Sequence, residues 1–138
     1  MPDEPYEFLR GVALFSDVSD KHLQTIAVSM RRRAFGPGER IVAEGEGGVG
    51  FFFVEQGTVS VTQDDDRRAT LGPGDHFGEI ALLSGAERTA TVSADTDVVC
   101  WGMPAWNFRP LVREQPSVTI KLLEAMARQL AGAPRRNA

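Results

Sequence analysis

Cysteine is nearly missing from this chain: Cys100 is the only one. That excludes an intramolecular disulfide and any zinc or iron–sulfur site built on four cysteines. Set among Val98, Val99 and Trp101, the thiol reads as a small buried hydrophobe rather than a reactive group. Histidine is almost as scarce, and His22 and His76 stand apart from other ligand types; no metal constellation is legible. No apolar run approaches the ~20 residues that a membrane span needs. The acidic, polar N-terminus is no signal peptide, so a cytoplasmic chain with no membrane partner is expected. A basic excess is lacking too. The formal charge is −4 and the pI about 5.2, which gives no broad electrostatic footprint for nucleic acid. An anionic ligand must therefore be held by a few well-placed donors.

What is present is an ordinary globular composition, 42% apolar and 25% charged over 138 residues, enough to bury a core as one domain. Residues 5–30 read as helical. Phe8, Leu9, Val12, Leu14 and Phe15 supply an apolar face broken near Gly11, and Ser19 can cap a second helix carrying Leu23, Ile26 and Ala27. From Arg31 the period changes. Short runs rich in Val, Phe and Thr (40–43, 51–55, 58–62, 68–71, 89–94 and 98–103) are separated by glycine-centred or acidic turns. Regular short strands with frequent turn signals argue for a closed antiparallel sandwich, roll or barrel over 31–103. After Pro104 the helical period returns, first with Trp106, Phe108, Leu111 and Val112. Pro116 then opens a last helix whose Ile120, Leu123, Ala127 and Leu130 form a stripe. Helices are expected over 104–131 and a polar tail over 132–138.

One helical turn, 79–84, interrupts the strands, and function is expected at that break. Residues 77–92 read Phe-Gly-Glu-Ile-Ala-Leu-Leu-Ser-Gly-Ala-Glu-Arg-Thr-Ala-Thr-Val. A glycine and a carboxylate, Gly78 and Glu79, stand at the start of the turn, and Arg88 opens the next strand. N–H groups at a helix start and a guanidinium fork can hold a small anion between them. The carboxylate is then left to accept hydrogen bonds from hydroxyls. This is the chemistry of a sugar phosphate site.

These residues, with glycines at 38, 45, 57, 72, 74 and 78, resemble the cyclic-nucleotide-binding domain, a catabolite-activator-like sensor without its DNA-binding helix-turn-helix. The resemblance covers roughly residues 5–131. It implies a mostly β fold with flanking α: an antiparallel β roll (jelly-roll-like) with N-terminal helices, a short cassette helix and two C-terminal helices. It implies a ligand site made by Phe77, Gly78, Glu79, Ile80, Ala81, Arg88, Thr89 and Ala90, with cAMP or cGMP as ligand and no cofactor. Arg88 would bind the cyclic phosphate, Gly78 would let backbone approach the ligand, and Glu79 would accept from the ribose 2′-hydroxyl. N–H groups around Arg88, Ala90 and the cassette helix would complete the nest. Ile80 and Leu82 or Leu83 would turn toward the core or the final helix. Thr89 admits cGMP without excluding cAMP. Glu87, where many relatives carry proline, sets a negative charge beside the anion.

Blander readings stand beside these. Arg88 and Glu79 can be a salt bridge that merely ties the cassette helix to its strand. The run Arg31-Arg32-Arg33 is expected to be a solvated strand, since only alternate residues share a face. Asp64-Asp65-Asp66 lacks the spaced ligands and glycine of a calcium loop and reads as a hairpin turn. His76 has no matched cysteine to suggest a haem. Trp101 and Trp106 are expected in the core. The final stripe suits either a lid over the base or pairing with a second copy of the chain. With no nucleophile–base pair near the cassette, an enzyme is not expected. A sensor domain is the leading expectation; a non-binding dimerisation module, or the sensor half of a longer transcription regulator, are the alternatives. No nucleic-acid partner is expected from this chain alone.

Overall fold

The computed structural model describes residues 5–43, 45, 50–85, 88 and 90–132. Its N-terminal part is helix α1 (Pro5–Arg10), a 3-10 turn (Ala13–Phe15) and helix α2 (Asp20–Val28). Ser19 caps α2 as expected, its Oγ accepting from the His22 N–H at 3.2 Å, a contact worth about 1 kcal/mol. Arg10 fixes the bend between the helices by donating to the Val18 carbonyl at 3.0 Å and to Asp20 Oδ1 at 2.8 Å. The hydrogen bonds from Arg10 and then Tyr6 hold Asp20 below its ordinary 3.8. This tie is present above that pH and is lost as pH falls through the lowered value.

Among the described residues eight strands follow: β1 (Arg31–Phe35), β2 (Arg40–Val42), β3 (Gly50–Gln56), β4 (Val59–Gln63), β5 (Asp66–Leu71), β6 (His76–Phe77), β7 (Thr91–Ala94) and β8 (Val98–Pro104). They form two antiparallel four-stranded sheets, β1-β8-β3-β6 and β2-β7-β4-β5. The order is that of the expected roll. The six runs read from the sequence are all strands, with ends moved by a few residues; Thr89, counted in one of them, lies outside the described residues. Asp64 and Asp65 make the β4–β5 hairpin turn, at φ 53° and 65°, where short acidic side chains tolerate the left-handed region. Helix α3 (Glu79–Ser84) interrupts the strands, and α4 (Ala105–Glu114) and α5 (Pro116–Ala131) close the chain.

Strand β3 is buried on both faces, which explains its nearly unbroken apolar run. Phe51 and Phe53, opposite Met103 and Trp101, face a core shared with the helices. Phe52 and Val54, opposite Gly102 and Cys100, face the roll interior with Val42, Val59 and Val92 of the other sheet. The alternation of one strand thus separates two cores. One carboxylate goes in with them: Glu55 accepts from Trp101 Nε1 at 2.8 Å and from Arg32 Nε at 3.3 Å. The three arginines of β1 are exposed, as a solvated strand requires, and charge on an edge strand discourages pairing with other chains.

Helix α5 is held along its inner side by buried Val118 and Leu122 and by Lys121, whose Nζ lies 3.0 Å from Asp17 Oδ2 and 3.2 Å from the Ala13 carbonyl. The expected stripe is on the other side. Ile120, Leu123 and Leu130 are 56%, 60% and 67% exposed. Trp101 is in the core, but Trp106 is not: it stands 78% exposed on the first turn of α4, because Phe108 and Leu111 take the inward positions. Among the described residues no helix is long and apolar enough to cross a membrane.

Cys100 is fully buried, and burial pushes its thiol up to about 12. In the native protein it should resist a thiol reagent at pH 8 and react at the rate of unfolding. Labelling as fast as that of a free thiol, in buffer without denaturant, would contradict the packing described.

Candidate functional site

The site is built where β6 ends. Phe77 is buried and its ring stacks on Phe52, its cross-strand partner, with centroids 5.3 Å apart at 18°. The chain then turns through Gly78 at φ 101° into α3. A side chain here is excluded twice over: the backbone is left-handed, and a Cβ would stand 2.6 Å from the Gly50 carbonyl oxygen and 3.0 Å from Arg88 Nη1. What occupies that space is the guanidinium of Arg88. Its Nη1 donates to the Gly78 carbonyl and its Nη2 to the Gly50 carbonyl, each at 2.9 Å. One side chain therefore ties the start of β3 to the β6–α3 junction.

Arg88 and Glu79 are both 5% exposed, so neither is a solvated surface charge. They are not each other's hydrogen-bond partner. Glu79 Oε2 lies 3.2 Å from His76 Nδ1, while Arg88 is bonded to carbonyls. Burial lowers Arg88 from its ordinary pKa and the field of Glu79 raises it; an arginine so placed stays cationic at neutral pH. The simple salt bridge considered from the sequence is thus replaced by a cation fixed on neutral dipoles beside a carboxylate. Among the described residues its hydrogen-bond partners are dipoles only, and such a cation still attracts an anion.

These groups line a cavity of about 540 Å³. Seven of the eight residues expected at the site meet there: Phe77, Gly78, Glu79, Ile80, Ala81, Arg88 and Ala90. Thr89, the eighth, lies outside the described residues, as does Glu87. Ile80 is 41% exposed at the cavity, whereas Leu82 and Leu83 pack toward the helical core. His76 joins the lining, which its isolation in the sequence did not suggest. The floor is apolar, with Val42, Val92, Val61, Ala69 and Leu71, and polar groups come in at its far side from Gln63 and Arg68. Arg128, Gln129 and Gly132 bring the end of α5 to the same cavity. None of these last five was singled out from the sequence. Val61 and Gln63 share a face by strand alternation, a signal that was available; a final helix over the base was one of the two uses expected of α5, but its arrival through Arg128 and Gln129 depends on tertiary packing and was not legible.

Residues 32–115 match the cyclic nucleotide-binding domain, and the chain belongs to that family. It is 31% identical over 106 residues to a cAMP-dependent protein kinase regulatory subunit of Candida albicans, across 77% of this chain and 23% of that protein. It is also 31% identical over 110 residues to the human potassium/sodium hyperpolarization-activated cyclic nucleotide-gated channel 4, across 80% of this chain and 9% of the channel. Among solved structures, the catabolite activator protein of Thermus thermophilus superposes with a TM-score of 0.75 at 28% identity, over 86% of this chain and 58% of that one. The chain thus spans less than a quarter of either of these two sequence relatives.

Gly78→Ala should lower the unfolding free energy by about 1–3 kcal/mol, the cost of a strained left-handed residue. Gly72→Ala, where an added Cβ meets nothing within 4 Å, is the control and should change it little. Equal urea midpoints for the two variants would show that the close approach at Gly78 is not a constraint.

Proposed function

We propose that this chain is a non-enzymatic sensor for a purine cyclic mononucleotide, cAMP or cGMP, needing no cofactor. The observation that carries the reading is Arg88, a buried cation held by two carbonyls at a cavity that also presents a buried carboxylate. An arginine has five N–H donors. With two committed to Gly50 and Gly78, the plane of the fork is fixed, and the cyclic phosphate takes its place against that fork and the backbone around Ala90. Glu79 accepts from the ribose hydroxyl, held in orientation by His76. Phe77 and Ala81 support the turn and Ile80 stands over the opening; Thr89, expected at the site from the sequence, lies outside the described residues. The apolar floor receives the base.

Coupling to α5 is part of the proposal. This helix touches two things: its first half is docked by Val118, Lys121 and Leu122, and its last turn reaches the cavity through Arg128 and Gln129. A ligand that fills the cavity then meets the free end of a helix anchored elsewhere, and the end settles onto it. Binding in calorimetry should weaken at least about tenfold in Arg88→Ala, following the ~1.5–3 kcal/mol of a charge-assisted contact. In the wild type, the ligand should slow amide exchange in residues 124–131 while leaving 116–122 unchanged. No heat with either nucleotide at millimolar concentration overturns the sensor; binding without any change in exchange overturns the coupling.

A second reading, pairing of two copies through α5, is favoured by the outward stripe. Ile120, Leu123, Ala127 and Leu130 are spaced 3, 4 and 3 residues apart, the seam of a two-stranded coil, and three of them are large and exposed. Light scattering should give a dimer at tens of micromolar and a monomer for Leu123→Asp. A monomeric wild type rules this reading out and leaves the sensor untouched.

A further inference from the structure

His76 has two kinds of neighbour. Its ring is tilted steeply against those of Phe51 and Phe53, with centroids 5.5 and 6.0 Å away at 64° and 66°. Both phenylalanines are fully buried on β3, the strand that pairs with β6, and they hold the imidazole in place. Its polar contact is Glu79, whose Oε2 lies 3.2 Å from Nδ1. An ionised carboxylate only accepts, so Nδ1 carries the hydrogen and Nε2 of the neutral ring has the lone pair. Nε2 has no hydrogen-bond partner among the described residues. The side chain is 19% exposed, so a second proton can reach it from water. The charged groups that share the cavity with this ring are Glu79 on α3, Arg88 before β7, Arg68 on β5 and Arg128 on α5. Strand β3 turns aromatic rings to it, and Phe108 of α4 packs on Phe51. The carboxylate of β3, Glu55, is taken by Trp101 and Arg32. Asp75, the preceding residue, accepts from the Gly72 N–H at 2.9 Å.

We propose that His76 makes nucleotide affinity respond to pH: a proton at Nε2 strengthens the hold on the cyclic phosphate. This rests on the cyclic-nucleotide reading above and concerns its regulation, since in that reading His76 acts through Glu79. Histidine is the side chain that ordinarily changes charge between pH 5 and 8. With the ring neutral, the carboxylate of Glu79 is a negative charge beside the cation meant for the phosphate. Arg88 is bonded to carbonyls and does not cancel it. With the ring protonated, His76 and Glu79 together are neutral, and an incoming anion meets a field more positive by one charge. Glu79 keeps its own task, because only Oε2 is engaged; Oε1 has no partner among the described residues and stays available to a ribose hydroxyl. Proton and anion binding then favour each other, by the reciprocity of linked sites. The gain in affinity is present when the ring is protonated and is lost as pH rises through the histidine range. Ordinary carboxylates titrate well below that range, so the two effects are separable.

The test is calorimetry with cAMP and with cGMP at pH 6.0 and pH 8.0, on the full chain and on His76→Gln and His22→Gln. Glutamine keeps a donor for Glu79 and cannot gain a charge. The wild type should bind about fivefold more tightly at the lower pH. It should take up protons as it binds, so that the heat varies with the ionisation enthalpy of the buffer. Whatever its affinity at pH 8.0, His76→Gln should show no such gain. His22→Gln, altered on α2 where the ring's partner is Ser19, should keep it. The same linkage is read without any variant by NMR of the wild type. There the His76 ring signal should titrate at higher pH with nucleotide bound, while that of His22 stays put, which decides the matter even if His76→Gln fails to fold. Equal or weaker binding at pH 6.0, a gain retained in His76→Gln, or a His76 titration that the nucleotide does not move overturns the role of His76 and leaves the cyclic-nucleotide reading standing. If the wild type binds neither nucleotide at either pH, the underlying reading fails and this inference with it.

Discussion

A buried guanidinium bonded to two main-chain carbonyls sets the terms for this structure. Taking a charge out of water costs several kcal/mol unless its donors are met, and Arg88 meets them with the oxygens of Gly50 and Gly78. That demand explains the local sequence. The chain at residue 78 must pass so close that a Cβ has no room, and it must turn through a conformation that favours glycine. The same contact places the start of β3, the end of β6 and the first turn of α3 around one point. Glu79 is then next to Arg88 without neutralising it, because its own contact is with His76. A chain with a net charge of −4 thereby keeps a buried positive charge at its cavity, by placement rather than by number.

The rest of the fold packs that placement firmly on one side and leaves the other side exposed. Strand β3 carries phenylalanines toward both cores, so the carbonyl of Gly50 begins a strand packed on both faces. Large rings in such positions typically stabilise a domain by about 3–5 kcal/mol each when judged by truncation. The opposite wall of the cavity is the last turn of α5, which has exposed residues and no buried anchor beyond Leu122. Firmly packed donors on one side and an exposed helix end on the other are what the coupling proposed for this site would use.

Much of this was legible in the sequence, and the physical reasons separate what was from what was not. Glycine and acidic turns bracketed the strands, Ser19 announced its cap, and the Gly78–Glu79 and Arg88 halves stood at a spacing that the fold closes into one cavity. Strand β6 has only two residues, too few for any period to show, whereas β1 was legible as a solvated strand from its three arginines. Helix α5 was legible only in part. It has apolar residues on two sides, and the longer row, from Ile120 to Leu130, is the one that faces outward, while Val118 and Leu122 do the packing. Trp106 is the same case on α4. The register slip between β4 and β5, where Val61 faces Ala69 but Thr62 faces Arg67, is a property of two strands together, and no single-strand pattern contains it. Glu55 was passed over because its partners, Trp101 and Arg32, come from other strands.

The central claim is that the guanidinium of Arg88 is the anchor for a cyclic phosphate. It is tested most directly by a crystal structure of the chain grown with cGMP and cAMP together. The account predicts density in the cavity with phosphate oxygens at hydrogen-bond distance from Arg88, ribose against Glu79, and the carbonyl contacts of Gly50 and Gly78 retained. A nucleotide bound elsewhere, or a cavity that holds the nucleotide with its phosphate turned away from Arg88, would contradict it.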